Sequence, residues 1–278
     1  MQIQKKNIQD KKSKRKNNLL LKRFYKIEKE LYLKQLLPTD ELSFPRFMCI
    51  GAQKAGTTWL YANLKRHPQI KLSRKEFHYF DKDAKFYTPL KNYCAYFEST
   101  NNKISGDITP SYSVLNRERI KLIKTLMPNL KLIFILRNPI DRALSAANMR
   151  FSKKLERDIN SVSEDELIKF ISTTGVIKRG KYLETLKNFN EFFDEDQIHI
   201  DFYDCIKTEP EKLIKRIFSH IGVDSEIDMT KLPLKKIIHK SKNEKFIPSI
   251  MIKNFLEETF RSDINKLKEK FGSVISHW

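Results

Sequence analysis

Residues 51–59 read Gly51-Ala52-Gln53-Lys54-Ala55-Gly56-Thr57-Thr58-Trp59. The apolar run Phe47-Met48-Cys49-Ile50 precedes this stretch, and a helical pattern over 59–64 follows it. A strand, a glycine loop and a helix N-terminus in that order predict a binding loop for an anion, because the free backbone N–H groups and the helix dipole both point into the loop.

The loop differs at one position from the phosphate-binding pattern G-x-x-x-x-G-K-[ST] of nucleotide-hydrolysing proteins. Where that pattern requires lysine, the chain has Thr57, and its lysine is Lys54, three residues earlier. The spacing therefore indicates a phosphate-type site whose cation contacts a different atom of the ligand.

The composition is that of a lysine-rich globular protein. The 278 residues fit one large domain or two small ones, and 40% of them are hydrophobic, which is enough for a sizeable core. The formal charge of +20 has two interpretations. Either the lysines keep the surface solvated, or the surface binds an acidic substrate, an anionic nucleotide or a membrane.

Cysteine usage and hydropathy bear on the compartment. Cys49, Cys94 and Cys205 are scattered and form no C-x-x-C pair, so we predict neither a zinc site nor a disulfide framework. The sequence shows no signal-peptide pattern and no stretch long enough to span a membrane. We therefore expect a cytoplasmic protein with reduced thiols and no bound metal.

The N-terminal segment differs from the rest of the chain. Residues 1–43 are predicted to form a basic tail and an amphipathic helix, and residues 44–278 the folded domain. The helix is predicted over 19–37, with Leu20, Phe24 and Ile27 among basic residues. It can pack on the domain, pair with another chain, or associate weakly with the anionic inner face of a membrane.

Strand and helix patterns alternate beyond residue 44, which predicts an α/β fold: a three-layer sandwich with a central, mainly parallel sheet flanked by helices. The predicted strands are 47–50, 70–72, a segment before Gly106, 131–136 and 197–203. The predicted helices are 57–66, 116–127, one opened by Asn138-Pro139, one capped by Ser163-x-x-Glu166, 181–193, one capped by Thr208-x-x-Glu211, and 248–271.

A second anion-binding motif, Arg137-Asn138-Pro139-x-x-Arg142-x-x-Ser145, follows the strand 131–136. Ligands of open α/β sheets bind beyond the carboxyl ends of the strands, so Arg137 is expected at the same sheet edge as the loop 51–59. Its guanidinium can form two parallel hydrogen bonds to a phosphate. Ser145, two turns along the next helix, can add a hydroxyl to the same anion.

The two motifs together resemble the sulfotransferases that use 3′-phosphoadenosine 5′-phosphosulfate (PAPS) and release 3′-phosphoadenosine 5′-phosphate (PAP). The stretch 53–59 resembles the element that holds the 5′-phosphosulfate in that family. The stretch 137–145 resembles the element that holds the 3′-phosphate. The resemblance implies a P-loop-like fold and a set of donor-binding residues, namely Gln53, Lys54, Ala55, Gly56, Thr57, Thr58, Trp59, Arg137 and Ser145.

Other segments extend the resemblance over about residues 45–278, towards the carbohydrate (heparan sulfate-type) branch and its bacterial relatives. Lys75-Glu76-x-His78-Tyr79-Phe80-Asp81 resembles the acceptor-side motif of that branch. Gly106-Asp107-Ile108-Thr109-Pro110-Ser111-Tyr112 and Arg179-Gly180-Lys181-Tyr182 resemble later segments. The chain departs from the pattern at Ile108, where many relatives have lysine.

The resemblance implies roles for the individual residues. Lys54 stabilises the leaving phosphate and Glu76 is the general base, while His78 orients the acceptor or Glu76, or is itself the base. The implied acceptor contacts are Lys75, Asp107 and Tyr112, and the residues implied to close over the nucleotide are Lys240 and Lys242. The resemblance implies a carbohydrate-like acceptor, and the positive charge favours an acidic one.

Two other functions stay open from the sequence. A P-loop kinase or NTPase shares the strand, loop and helix but requires lysine at position 57 and an acidic strand end for Mg²⁺, whereas the best strand ends in Arg137. A basic module that binds nucleic acid or an anionic membrane through residues 1–37 explains the charge but leaves both anion motifs unexplained. We therefore expect no nucleic-acid partner. The identity of the acceptor, its reacting group and the oligomeric state stay open.

Overall fold

The computed structural model describes residues 19–98, 102–235 and 246–278. Within these ranges the chain forms a five-stranded sheet in which every neighbouring pair is parallel, in the order β2-β3-β1-β4-β5. The predicted α/β class with a central parallel sheet is confirmed. The strands are β1 (Phe47–Gly51), β2 (Ile70–Lys71), β3 (Ile104–Ile108), β4 (Lys131–Leu136) and β5 (Ile198–Phe202).

Helices cover both faces of this sheet, and none in the described part of the chain is long and apolar enough to cross a bilayer. In chain order they are α1 (19–33), α2 (Thr57–Leu64), α3 (Asp83–Phe86), α4 (Leu90–Cys94), α5 (Arg117–Leu126), α6 (Pro139–Asn148), α7 (Glu164–Ile171), α8 (Thr174–Lys178), α9 (Tyr182–Asn190), α10 (Cys205–Thr208), α11 (Pro210–Ile221) and α12 (Ile250–Phe271).

Strand β1 is the middle strand, and its position explains its composition. All five of its residues are buried, because helices cover the parallel sheet on both sides. β1 pairs with β4 from Phe47 opposite Lys131 to Gly51 opposite Phe134. Ala52 extends the contact by donating its N–H to the Ile135 carbonyl at 2.8 Å. This pairing brings the loop after β1 and the residues after β4 to one edge of the sheet.

Local capping signals fix several helix starts. Asn138 caps α6, since its side chain accepts hydrogen bonds from the N–H groups of Ile140 and Asp141, and Pro139 occupies the first helical position. Ser163 caps α7 by accepting from the Glu166 N–H. Both helix starts agree with the predictions. A capping side chain accepts from N–H groups two or three residues further along the chain, so the sequence alone can identify it.

Three predicted boundaries are wrong, and one of them is the end of the helix predicted over 181–193, which ends at Asn190. Thr208 does not cap α11, because Pro210 takes the first helical position and the Thr208 hydroxyl bonds to the Asp204 carbonyl within α10. The helix predicted over 19–37 ends at residue 33, and Gln35 then adopts a left-handed conformation with φ 56°. Propensity alone does not locate such ends, because tertiary contacts decide which turn is the last.

A second hydrophobic cluster lies beside the main core and supports the Arg137 side of the sheet edge. It joins α6, α7, α8 and α12 through Ala143, Leu167, Val176 and Phe260, all of them buried. Gly180 belongs to this packing, since a Cβ at that position would lie 2.7 Å from the Phe260 ring. The segment between α8 and α9 is therefore held close to α12.

Candidate active site

The loop after β1 ends at a helix N-terminus that offers free N–H groups. Gly56 is the N-cap of α2, and its φ of 86° favours glycine; a Cβ there would also lie 2.2 Å from Ile206 Cδ1, which would have to move. The N–H groups of Gly56, Thr57 and Thr58 donate to no other described residue. The first turn of α2 contains no acidic side chain. The N-terminus of α2 can therefore bind an anion.

Lys54 supplies a positive charge inside the same loop. Its ammonium makes no hydrogen bond to the described residues, and its backbone is left-handed with φ 74°. Burial, together with the nearby cations Lys153, Arg137 and Lys75, lowers the pKa of Lys54 to about 8, and Glu76 opposes this shift. A cation that is partly desolvated among like charges is stabilised by any anion that binds beside it.

Arg137, the first residue after β4, joins the two predicted anion motifs. Its Nη1 donates to the Lys54 carbonyl at 3.1 Å, and its guanidinium lies 4.5 Å above the Tyr203 ring. The Tyr182 hydroxyl donates to the Arg137 carbonyl at 2.7 Å. Arg137 Nε is buried and has no partner among the described residues. The structure thus places both motifs at one sheet edge, as expected from the order of the elements.

Two more arginines lie behind this edge. Arg142 is fully buried, donates from Nη2 to the Val176 carbonyl at 2.6 Å, and leaves Nε and Nη1 without a partner in the described chain. Burial lowers the pKa of Arg142 to about 10, with Arg179 and Arg137 adding to the effect and Tyr182 opposing it. A buried ion without a counter-charge costs on the order of several kcal/mol. The basic cluster of Arg137, Arg142 and Arg179 is therefore expected to be matched by an anionic ligand.

The acceptor-side motif forms a chain of acidic and basic side chains. Nδ1 of His78 lies 2.9 Å from Oδ2 of Asp81, and Nε2 lies 3.3 Å from Oε2 of Glu76. A neutral imidazole carries one N–H and can donate to only one of these carboxylates, whereas an imidazolium donates to both. His78 therefore lies between two carboxylates, those of Glu76 and Asp81.

Lys75 connects this motif to the donor-side loop. Its ammonium donates to the Thr58 hydroxyl in the first turn of α2, and it lies 3.3 Å from Oε1 of Glu76. Glu76 keeps part of its side chain accessible to solvent, with a relative exposure of 38%. An anion at the α2 N-terminus and a substrate beside Glu76 would therefore lie on either side of Lys75.

Backbone hydrogen bonds hold the acceptor-side segment against the end of β3. The Glu76 N–H donates to the Ile108 carbonyl at 3.1 Å, and the Phe77 N–H donates to the Thr109 hydroxyl at 2.9 Å. Glu76 and His78 both have positive φ, 60° and 56°, which is uncommon for residues other than glycine. With these left-handed conformations on either side of Phe77, the Glu76 and His78 side chains lie together, 3.3 Å apart.

Asp107 and Tyr112 lie beneath this segment, both fully buried. The Tyr112 hydroxyl donates to Asp107 at 2.9 Å and accepts from the Tyr79 N–H at 3.1 Å, while Thr109 and Tyr93 also donate to Asp107. Burial raises the pKa of Asp107 to about 6, against the lowering effect of these donors. Both side chains are buried in this structure and support the 76–79 segment, while their contact with an acceptor stays a prediction.

The remaining predicted site residues have varied positions. Gln53 is half-buried beside Lys54, Ala55 is fully buried, and Ser145 is half-buried on α6, three residues after Arg142. Trp59 is buried and donates its indole N–H to the Leu234 carbonyl at 2.9 Å. Lys240 and Lys242 lie outside the described residues. Side chains that could ligate a metal form no group of three or more in the part of the chain that is described.

Sequence reasoning missed Tyr203 and Asp81 as functional residues. Tyr203 follows β5 directly and packs on Arg137 across the sheet edge. The sequence signal that could have identified Tyr203 is its place directly after a strand, which is also the place of Arg137 after β4. Asp81 stands in the quoted motif, three residues after His78, and its contact with His78 became visible only in the structure, where the backbone at His78 is left-handed.

Comparison with known families decides the classification. The family described as Sulfotransferase domain matches residues 44–266, most of the chain. This chain belongs to the sulfotransferase family. The bifunctional heparan sulfate N-deacetylase/N-sulfotransferase 1 of Mus musculus is 25% identical over 281 residues, which cover 84% of this chain and 31% of that protein. The first curated relatives are matched over only 22% to 32% of their own lengths.

Solved structures of sulfotransferases share the fold. The sulfotransferase from Alicyclobacillus acidocaldarius superposes with a TM-score of 0.62 at 21% identity, covering 82% of this chain and 96% of that one. Mouse sulfotransferase SULT7A1, solved in complex with PAP, superposes with a TM-score of 0.52 at 15% identity, covering 84% and 92%. The P-loop-like sulfotransferase fold predicted from the motifs is confirmed.

Proposed function

We propose that the protein transfers a sulfuryl group from PAPS to a hydroxyl or amine of a carbohydrate-like acceptor and releases PAP. The observation that carries this proposal is the hydrogen bond from Arg137 to the Lys54 carbonyl, which joins two anion-binding elements at one sheet edge. PAPS has two separate anionic ends, which match these elements. Family membership, the PAP named for the mouse structure and the heparan sulfate named for the mouse relative support the proposal.

The residues present fit such a donor. The free N–H groups of Gly56, Thr57 and Thr58 and the Lys54 ammonium would hold the 5′-phosphosulfate. Arg137 and Ser145 would hold the 3′-phosphate, with Arg142 and Arg179 adding positive charge from behind. When bound, the donor supplies a sulfuryl group on a phosphate leaving group.

The chemistry follows from what the side chains can stabilise. The acceptor oxygen or nitrogen forms a bond to sulfur, its proton passes to Glu76, and the bond between sulfur and the phosphate oxygen breaks. Lys54 stabilises the negative charge that develops on that oxygen. His78 is oriented by Asp81 and lies beside Glu76, where it stabilises the proton that Glu76 has accepted. In-line transfer of this kind depends on positioning and charge, as phosphoryl transfer does.

Calorimetry with PAP, AMP and ATP tests the donor assignment. PAP should bind most tightly, because only PAP presents anions to both elements. Transfer of labelled sulfate to a panel of hydroxyl- and amine-bearing glycans, acidic and neutral, then tests the acceptor class. Tight binding of ATP with Mg²⁺ and none of PAP would instead support a P-loop kinase. The absence of a metal requirement and the cytoplasmic location stay predictions.

Arg137→Ala should weaken PAP binding by about 10- to 100-fold, the value of a lost charge-assisted hydrogen-bond pair. AMP, which lacks the 3′-phosphate, should lose much less affinity. Calorimetry with both ligands checks this, with Arg66→Ala as a control for removing an exposed arginine. Equal losses for PAP and AMP would contradict the assignment of Arg137 to the 3′-phosphate.

PAP affinity should fall as the pH rises through about 8. The lowered pKa means that Lys54 is charged below that value and neutral above it, and only the charged form attracts the 5′-phosphate. The ligand itself is constant in this range, since phosphate groups lose their second proton near pH 6. Calorimetry across neutral and alkaline pH measures the effect. In Lys54→Arg, whose side chain keeps its charge, PAP affinity should not decline over this pH range. If the PAP affinity of the unmodified protein stayed constant up to the ordinary lysine pKa, the prediction would be refuted.

A further inference from the structure

Helix α1 is attached to the domain by one face. Lys29 is almost fully buried, with 3% of its surface exposed, and donates to the Thr88 carbonyl at 3.2 Å. Its ammonium also lies 5.5 Å from the centre of the Tyr79 ring. Tyr32 and Leu33 pack against the main core. These contacts join α1 to the segment that follows the acceptor-side motif.

The opposite face of α1 is apolar and exposed. Leu20, Phe24, Ile27 and Leu31 follow one another at spacings of four, three and four residues, which puts them on one stripe of the helix. Leu20, Phe24 and Ile27 are 55%, 63% and 54% exposed. Such a contiguous row of large apolar side chains is typical of a binding surface rather than of an ordinary solvated helix.

The helix and the segment before it carry an excess of positive charge. Lys22, Arg23 and Lys26 are exposed on α1, where Glu28 and Glu30 are the two acidic residues, and residues 1–18, which precede it, contain seven basic residues and one acidic residue. A second copy of the chain would bring the same positive charge against the stripe and be repelled. An anionic lipid surface complements both the charge and the apolar side chains.

We propose that α1 lies on an anionic membrane surface, with Leu20, Phe24 and Ile27 inserted between the lipids and the basic residues at the headgroups. The proposal commits to a lipid surface and is independent of the sulfuryl-transfer chemistry. Because Lys29 joins α1 to Thr88 and Tyr79, the docked helix would be mechanically linked to the acceptor side.

Vesicle flotation of the full chain tests the proposal. One set of vesicles contains phosphatidylcholine alone, and the other contains equal parts of phosphatidylcholine and phosphatidylglycerol. We expect the protein to bind the anionic vesicles, and we expect high salt to reduce this binding. Phe24→Ser with Ile27→Ser should weaken that binding at least about tenfold, through lost apolar burial. Lys22→Glu with Arg23→Glu should weaken it by at least about fivefold per cation.

Val274→Ser, at an apolar residue that is 50% exposed elsewhere, is the matched control and should bind as the unmodified protein does. The PAP affinity of every variant, measured by calorimetry without lipid, should equal that of the unmodified protein. This result would show that the variants are folded, and it tests membrane binding separately from the enzymatic proposal. Equal vesicle binding by the Phe24 and Ile27 double variant, or no binding by the unmodified protein, would overturn the proposal. A dimer that the double variant dissociates, without lipid binding, would assign the stripe to a second copy and also overturn it.

Discussion

Replacing Lys54 with alanine is expected to reduce the rate of sulfuryl transfer by about 10²–10³-fold, the usual effect of removing one positioned donor from a site of developing negative charge. Lys54 is the cation within the loop, and its ammonium makes no hydrogen bond to the described residues. It is therefore available for the leaving phosphate. Transfer of labelled sulfate from PAPS, measured as kcat at saturating donor and acceptor, gives the result.

The fold should survive this substitution. Lys54 lies near the cations Lys153, Arg137 and Lys75, so its removal relieves repulsion. The left-handed backbone at position 54 has a similar cost for alanine and lysine, since both carry a Cβ. We expect a thermal midpoint equal to or above that of the unmodified protein.

Lys187→Ala, at an exposed position on α9, serves as the control for losing a lysine and should keep full activity. Lys54→Arg should recover part of the activity, because it restores a positive charge with different geometry. If Lys54→Ala retained most of its kcat, the leaving-group role of Lys54 would have to be abandoned.

The sequence predicted the elements whose signals are local. The apolar run before Gly51 and the glycine at position 56 determine a strand, a loop and a helix start without reference to the rest of the chain. The sequence also predicted that the two anion motifs lie at one edge of the sheet, because residues that follow two parallel strands lie at the same edge. What the sequence could not show is that β1 and β4 are neighbours, which makes the contact between Arg137 and Lys54 possible.

The burial of polar side chains at the site was not predicted from the sequence. The resemblance implied that Asp107 contacts the acceptor, and a turn residue after Gly106 was the alternative. In the structure β3 is covered, and hydroxyl groups from Thr109, Tyr93 and Tyr112 take up the hydrogen-bonding capacity of Asp107. These donors come from separate elements, so no sequence pattern identifies them as partners. The same holds for Arg142, whose burial depends on the packing of α6 against α8.

Glu76→Gln is expected to reduce kcat by about 10²–10⁴-fold, the range for loss of a general base. The substitution keeps the size of the side chain and an oxygen for the contact with Lys75, but the neutral amide cannot accept the acceptor proton. PAP affinity should change much less than kcat, because Glu76 contacts the donor loop only through Lys75. Labelled-sulfate transfer gives kcat, and calorimetry gives the dissociation constant of PAP.

His78 is the alternative base, and two variants distinguish it from Glu76. If Glu76 accepts the proton, Glu76→Gln should reduce kcat more than His78→Ala, and Asp81→Asn should have the smallest effect because Asp81 acts only through His78. If His78 accepts the proton instead, His78→Ala should have the largest effect. Asp81→Asn should then shift the pH profile of kcat, since it removes the carboxylate that stabilises the imidazolium. Full activity in Glu76→Gln would transfer the role of base to His78, while the donor site at Lys54 and Arg137 would be unaffected.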